Sequence, residues 1–411
     1  MIIGFDGSRA FTANRTGTEN YSYHLLKTLA KIDKKNKYIV YLSSLSNLGY
    51  LGYLQKQKNF HFEVIDWPRF WTQGGLALQT FIDKLDVLFV PAHTLPLIRK
   101  PGLKTVVTVH DLGSEYLPTM HQLKQRLYLR LMQNYQLKTA TRIIAVSNAT
   151  KQDLVKRIGI NPENIKVIYE GYDENLFKPV KAEILRNRLK YFDIKKNSYF
   201  LFVGTVQPRK NLERVIKAFA AVILSGAQRN EGSVANATSS NKLRDSSQAR
   251  NDILVIAGSK GWLSDEIYKL PKKLGIEDRV KFLGYVPDKD LPALYSGAIA
   301  FVYPSLFEGF GLPILDAQAC GCPVITSNVS SMPEVACLPA PQRGEPAGRA
   351  GEGAILVDPY SVEDIVESMN RIKNHESRIK LIKEGFENIK RFSWEKCARE
   401  TLQILLNLES N

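Results

Sequence analysis

The sequence predicts an α/β protein of two doubly wound domains, each built on a parallel sheet. Three observations carry this prediction. The chain has 411 residues, too many for one ordinary domain and well suited to two. Short β-branched runs alternate with amphipathic stretches, the pattern of a parallel sheet covered on both faces. The alternation also runs twice, in two series separated by a turn-rich segment.

The first series of strands is Ile2–Asp6, Tyr38–Leu42, Asp86–Val90, Thr105–Val109 and Arg142–Val146. The second is Tyr199–Val203, Ile253–Ala257, Val280–Leu283, Ile299–Tyr303 and Val324–Thr326. These runs are apolar without alternation, as strands buried on both faces are. Helical periodicity marks Tyr21–Ile32, Gln122–Thr139 and Leu212–Leu224. The boundary falls near Gly171–Lys195, where GYDENLFKPV brings turn residues and a proline. The predicted domains are 1–178 and 179–390, with a C-terminal helix over 391–411 returning to the first. Open parallel sheets bind ligands beyond the carboxyl ends of their strands, so a substrate cleft between two facing sheets is expected.

Two stretches break the pattern. Residues 226–251 are rich in Ser, Asn and Gln, and residues 338–353 in Pro, Gly and Ala. Both exceed the usual loop of ~4–6 residues and lack hydrophobic periodicity. They read as disordered surface insertions, in preference to a substrate lid, because their apolar content is so low.

Composition narrows the function. The formal net charge of +15 points to an anionic partner: a nucleotide, a nucleic acid or an acidic lipid. No segment approaches the long apolar run of a membrane helix. The N-terminus MIIGFDGSRA reads as a strand and not as a signal peptide, so a cytoplasmic protein is expected. Cys320, Cys322, Cys337 and Cys397 show no framework spacing and read as buried free thiols. Cys320-Gly-Cys322 lacks the second ligand pair that a metal site needs.

The segment Phe202–Val215, FVGTVQPRKNLERV, carries the clearest chemistry. A strand ends at Gly204–Thr205, and a helix begins around Asn211, a good N-cap. Arg209 and Lys210 precede that helix, the wrong sign for its dipole. The pair makes sense where an anion binds, and a diphosphate fits. The plain alternative is two side chains in solvent. In Tyr303–Ile325 a loop with Glu308, Gly309, Phe310 and Gly311 follows a strand, and Pro313 opens a helix. The two glycines would let backbone N–H groups approach a ligand closely. Glu308 and Asp316 suit hydrogen bonds from hydroxyl groups. Asp316 also suits the first turn of a helix for purely structural reasons.

YPSLFEGFGLPILDAQACGCPVITSN resembles the signature block of family 4 glycosyltransferases, the retaining group with GT-B architecture and two Rossmann-like domains. GTVQPRKNLERVIKAF resembles that family's second block. VTVHDLGSEYLP, RIIAVSNAT, IKVIYEGYD and FSWEKCARETLQILL extend the resemblance over nearly the whole chain. It implies that Arg209 and Lys210 hold the donor diphosphate and that Glu308 contacts the donor sugar. Phe310, Gly311 and Leu312 match the backbone around the sugar and its phosphate. Asp316 matches a glutamate that binds the ribose; Asp is one methylene shorter, which implies a contact through water. Gly284–Val286 matches the region where the donor base docks, with Val286 in it, and Gly204 ends the strand leading to the diphosphate.

The resemblance also places His110, at the end of Thr105–Val109, beside the donor sugar in a supporting role and not as a general base. Gly17, in RTGTEN, matches a glycine-rich loop near the diphosphate or acceptor; an ordinary tight βα turn explains it nearly as well. Asp288-Lys289-Asp290 has the form of a metal-binding Asp-x-Asp, but first-turn carboxylates explain it, so neither metal nor cofactor is expected.

Two other features bear on the acceptor. His121–Lys138 is a cationic amphipathic run, read as a solvated face of a core helix, with peripheral contact to an anionic membrane as the alternative. Trp67, Phe70 and Trp71 line an acceptor pocket or pack at the sheet edge. The expected function is hexose transfer, mannose from GDP-mannose first, to a saccharide or lipid-linked acceptor in cell-surface polysaccharide synthesis. A sugar-nucleotide epimerase of the same architecture is the alternative. A basic nucleic-acid-binding protein is a third reading, but no recognised binding module is visible, so no nucleic-acid partner is expected.

Overall fold

The computed structural model describes residues 1–12, 15, 17–44, 51–92, 94–112, 134–231, 252–339 and 352–408. The chain divides into two compact units. The first comprises Met1–Gly171 with Phe392–Asn411, and the second Tyr172–Arg391.

The first unit holds a seven-stranded sheet. Its strands are β1 (Ile2–Asp6), β2 (Lys37–Leu42), β3 (Phe60–Val64), β4 (Val87–Val90), β5 (Lys104–Val109), β6 (Arg142–Ala145) and β7 (Ile165–Val167). Their order is β3-β2-β1-β4-β5-β6-β7, and every neighbouring pair is parallel. The second unit holds six strands: β8 (Tyr199–Val203), β9 (Ile253–Ala257), β10 (Val280–Gly284), β11 (Ala300–Tyr303), β12 (Val324–Ser327) and β13 (Ile355–Val357). Their order is β10-β9-β8-β11-β12-β13, again all parallel.

The central strands β4 and β11 are buried along their whole length, which is why they read as unbroken apolar runs. β3, β7 and β13 are absent from the sequence reading. All three lie at sheet edges, and β7 and β13 have only three residues each. β3 is half open to solvent, so its FHFEV pattern mixes polar and apolar residues.

Each sheet has one place where the chain order reverses. It lies between β1 and β4 in the first unit and between β8 and β11 in the second. At such a point the loops leaving two adjacent strands run to opposite sides and open a crevice beyond the carboxyl ends. These two places position the candidate residues.

Several boundaries differ from expectation. The helix Gly17–Ile32 begins at Gly17 and not near Tyr21. The helix Leu212–Glu231 runs past Leu224, so the first residues of the predicted 226–251 insertion are helical. Ala227–Glu231 contains no proline or β-branched residue to stop it. The rest of that insertion, most of 338–353, and most of the predicted Gln122–Thr139 helix lie outside the described residues. At the base of the second insertion, Leu338 N–H donates to the Glu352 carbonyl at 2.8 Å, closing the connection at its neck.

Candidate active site

The residues that follow β8 and β11 interlock at the switch point of the second sheet. β8 ends at Gly204, whose φ is +146°. A Cβ on the neighbouring Gly258 would sit 1.9 Å from the Gly204 carbonyl oxygen, so only glycine permits this approach of the two strand ends. Beyond them Pro208–Lys210 forms a 3-10 turn. The Leu306 N–H donates to the Arg209 carbonyl at 3.0 Å, tying the turn to the loop after β11.

Four side chains then converge. The Arg209 guanidinium donates to Glu308 Oε2 at 2.9 Å and to the Phe307 carbonyl at 3.1 Å. The Lys210 ammonium donates to Glu308 Oε1 at 2.6 Å and to the Tyr303 hydroxyl. Tyr303 in turn donates to Glu308 Oε1 at 2.9 Å. Lys210 and Glu308 are only 8% and 7% exposed. Burial alone would push the Glu308 carboxyl up, but the charges of Lys210 and Arg209 win and hold it at about 2. Burial and the Glu308 charge push the Tyr303 phenol well above its ordinary value. Two cations face one carboxylate, so the cluster keeps one formal positive charge at a strand terminus. It can attract an anion with the cations and accept a hydrogen bond from a hydroxyl with the carboxylate.

Asn211 corrects the N-cap reading. It sits in the left-handed region with φ +61°. Its side-chain amide donates to the Pro304 and Pro359 carbonyls, at 2.9 and 2.7 Å, and its oxygen accepts from Arg214 at 2.9 Å. The residue is a brace between the loops after β8, β11 and β13, and not a side-chain cap.

The loop from Glu308 to Gly311 is held from below by two serines. Ser330 and Ser331 hydroxyls donate to the Glu308 carbonyl at 2.6 and 3.0 Å, and Ser331 donates to the Phe310 carbonyl at 2.8 Å. Phe310 is buried and Leu312 half-buried. Gly311 takes φ +106° at the head of the helix Leu312–Ala319, a turn that favours glycine. Asp316 lies in that helix, half-buried. Burial, with the charges of Asp288 and Asp173, pushes its carboxyl well above the usual carboxylate range.

In the first unit, His110 directly follows β5 and is 9% exposed. Its Nε2 lies 2.9 Å from the Pro91 carbonyl and its Nδ1 3.1 Å from Glu170 Oε1. Burial would discharge the ring; the Glu170 hydrogen bond and charge outweigh it, helped by Pro91 and Asp111, and raise its pKa. The Tyr21 ring meets the imidazole edge-on at 4.6 Å.

Comparison with known proteins places this geometry. Residues 185–388 match the family Glycosyl transferases group 1, and residues 15–176 match Glycosyltransferase Family 4. The chain belongs to the family 4 retaining glycosyltransferases. It is 29% identical over 300 residues to O-antigen chain mannosyltransferase B of Escherichia coli, covering 73% of this chain and 69% of that one. The fold matches sucrose-phosphate synthase from Thermosynechococcus elongatus, with TM-score 0.72, 19% identity and coverage of 100% and 99%. It also matches Anabaena HepE in complex with UDP and glucose, with TM-score 0.68, 17% identity and 99% coverage of both chains. The two parallel-sheet units therefore make up a GT-B glycosyltransferase.

In this glycosyltransferase the structure brings Arg209, Lys210 and Glu308 into one cluster, with Gly204, Phe310, Gly311 and Leu312 on the same two loops. Val286, buried, follows β10 at the carboxyl edge of the same sheet. Gly17 is exposed, and among the described residues nothing lies within 4 Å of where its Cβ would be. Asp288–Asp290 forms a 3-10 turn, and Asp290 pairs with Arg188 at 3.2 Å. Among the described residues no group of three His, Cys, Asp or Glu could hold a metal. The four cysteines are buried and free, with the Cys322 thiol pushed up to about 12 by burial. Trp67 is stacked over Gly74, while Phe70 is 80% exposed with φ +54°. Residues 121–133 of the cationic run lie outside the described residues. Among those residues no helix is long and apolar enough to cross a membrane.

Sequence reasoning missed Tyr303, Gly258, Glu170 and the Ser330–Ser331 pair. Tyr303 and Gly258 carried a signal, since Tyr303 ends one predicted strand and Gly258 directly follows another. Glu170 did not, because it stands 60 residues from His110 and only the pairing of β5, β6 and β7 brings it near.

Proposed function

We propose that this glycosyltransferase moves a hexose from a nucleoside diphosphate sugar to a saccharide or lipid-linked acceptor in cell-surface polysaccharide synthesis. The observation that carries this reading is the Arg209–Lys210–Glu308 cluster at the switch point of the second sheet. Arg209 and Lys210 take the diphosphate oxygens and stabilise the charge that grows on the leaving phosphate. Glu308 accepts a hydroxyl of the donor sugar, and the Phe310–Leu312 backbone lies along the sugar and its phosphate. Gly204 and Val286 line the nucleotide side, and Asp316 reaches the ribose through water. Gly17 and His110 are the first unit's candidate residues, on the family resemblance alone. No step asks for a metal ion.

Mannose from GDP-mannose is the first donor to test. The E. coli relative is a mannosyltransferase, whereas the HepE structure carries UDP and glucose, which keeps a UDP-glucose donor as the comparison arm. We place the enzyme in the cytoplasm, with peripheral contact at the inner face of an anionic membrane as the alternative.

The test is thermal stabilisation by GDP, UDP, ADP and their sugars, since a ligand that binds only the native state raises its melting temperature. GDP and GDP-mannose should shift it most. The double substitution Arg209→Ala/Lys210→Ala should abolish the shift and lower transfer at least about a hundredfold, with wild-type transfer undiminished by EDTA. Undiminished transfer by the double variant would overturn the reading. So would a change in the donor sugar with no nucleoside diphosphate released, which marks an epimerase.

A further inference from the structure

The hydrogen-bond geometry of His110 specifies more than its position. The Pro91 carbonyl can only accept, so Nε2 must carry a hydrogen across the 2.9 Å contact. A neutral ring would then turn the bare lone pair of Nδ1 toward Glu170 Oε1 at 3.1 Å. Two acceptors would face each other in a buried site, an arrangement that costs heavily. A proton on Nδ1 removes the conflict and makes the contact a charge-assisted bond. Glu170 is itself only 3% exposed.

The surroundings hold both partners still. Thr150 of the helix Asn148–Asp153 donates its hydroxyl to the His110 carbonyl at 3.1 Å. The Tyr21 hydroxyl pairs with Thr108 at 3.2 Å, and its ring lies edge-on both to His110 and to Trp394, at 4.6 and 5.9 Å. Trp394 opens the C-terminal helix Trp394–Leu406. A Cβ on Gly171 would lie 2.2 Å from the Trp394 nitrogen, so the backbone beside Glu170 is pressed directly against the head of that helix. Among the described residues, the ionisable groups near the pair include Glu170 beyond β7, Asp111 next in sequence and Tyr21 from the helix Gly17–Ile32, with Cys397 of the C-terminal helix beside Tyr21 and Glu170, and Glu400 beside Cys397. Burial drives Tyr21 and Cys397 upward, which leaves them uncharged at neutral pH.

We propose that Glu170 is a positioning residue that holds His110 as a doubly protonated imidazolium, so that this side chain serves sugar transfer as a fixed cation and never as a proton acceptor. The assignment of a role in transfer rests on the function proposed above; the protonation state does not. The C-terminal helix acts with it as the back wall that keeps Glu170 turned inward.

The experiment is nitrogen-15 NMR of the imidazole rings in the full chain from pH 5 to 9, on wild type and Glu170→Gln. In wild type both His110 ring nitrogens should report the protonated form at pH 7.5. In Glu170→Gln the amide can donate to a bare Nδ1, so the neutral ring is satisfied and the titration should move down by at least about one unit, a tenfold change in the protonation constant. Transfer measured alongside should fall about tenfold in Glu170→Gln at pH 8 and less than about threefold at pH 6, where the higher proton concentration restores much of the ring's charge. A merely structural role would lower both equally. Glu170→Asp, which keeps the charge, should restore much of the wild-type pH profile.

A neutral His110 in the wild type at pH 7.5 overturns the proposal, as does an unchanged titration in Glu170→Gln. If Glu170→Gln fails to fold, the wild-type titration decides alone. If the chain proves not to transfer sugar, the NMR result still stands or falls by itself.

Discussion

Replacing Glu308 by Gln should uncouple stability from anion binding. The side chain keeps its shape, but the charge that pairs with Arg209 at 2.9 Å and Lys210 at 2.6 Å is gone. Lys210, 8% exposed, then loses the carboxylate 2.6 Å from its ammonium while staying beside Arg209. Removing one partner of a buried pair costs about 3–5 kcal/mol. The pKa gives a second route to the magnitude. The carboxyl is held at about 2 against an ordinary 4.5, and each unit is worth ~1.4 kcal/mol, so the native state gains about 3 kcal/mol from the ionised form. Because the folded value lies below the unfolded one, this gain is complete above pH 4.5 and fades as pH falls toward 2. Urea unfolding at pH 7 should therefore show Glu308→Gln about 3–5 kcal/mol less stable than wild type, with the gap closing in acid. The same variant should bind a nucleoside diphosphate at least as tightly as wild type, since the cations no longer have a carboxylate competing for them. At a hundredfold excess over its dissociation constant that ligand restores about 2.7 kcal/mol. A loss below about 1 kcal/mol, or weaker diphosphate binding, refutes the reasoning.

Two further substitutions test the scaffold around this cluster. Gly258→Ala places a methyl group 1.9 Å from the Gly204 carbonyl oxygen, so the ends of β8 and β9 must part; a loss of about 3 kcal/mol in urea is expected, and a change under about 1 would mean the strand ends are not tightly apposed. Asp316→Asn removes a carboxyl that burial, Asp288 and Asp173 push well above 3.8. Its ionisation costs the native state as pH rises, so the variant should melt higher than wild type at pH 8 and match it near pH 4. A variant that melts lower at pH 8 would show that the Asp316 carboxylate has a counter-charge.

What the sequence made legible follows from burial and charge sign. β4 and β11 lie covered on both faces, so VLFV and AFVY announce themselves as strands. β3 keeps one face in solvent, and its FHFEV has neither a clean alternation nor an apolar run. Arg209 and Lys210 could be picked out because cations are misplaced before a helix that prefers anions. Glu308 could be picked out as a loop glutamate between aromatics and glycines, but not as their partner, since it is 98 residues beyond Lys210 and meets the pair only because β8 and β11 are neighbours across the switch point. Asn211 shows where a local rule fails. Its residue type and position fit a helix cap, but two carbonyls from separate loops claim its amide, and tertiary contacts override the local preference.

The two units solve one problem in the same way. A cation that is to act on a ligand must be held away from water, yet a buried lone charge is among the costliest things a fold can contain. In the second unit Arg209 and Lys210 follow β8, and the carboxylate that makes them tolerable, Glu308, follows the adjacent strand β11. In the first unit His110 follows β5, and Glu170 follows β7, one strand beyond its neighbour. Each carboxylate comes from a segment remote in sequence, so Arg209 and Lys210, and His110 in its proposed charged form, meet their carboxylate only once the sheet has closed. The charges are thus placed by folding and not by the ligand, which is the condition for electrostatic preorganisation to lower a barrier. Under the function proposed above, an incoming diphosphate would not have to assemble its cations; it would only have to compete with Glu308 for cations already aimed. Glu308 would then stand beside that anion with its hydrogen-bonding capacity released, able to accept a hydrogen bond from a hydroxyl of the sugar the diphosphate carries.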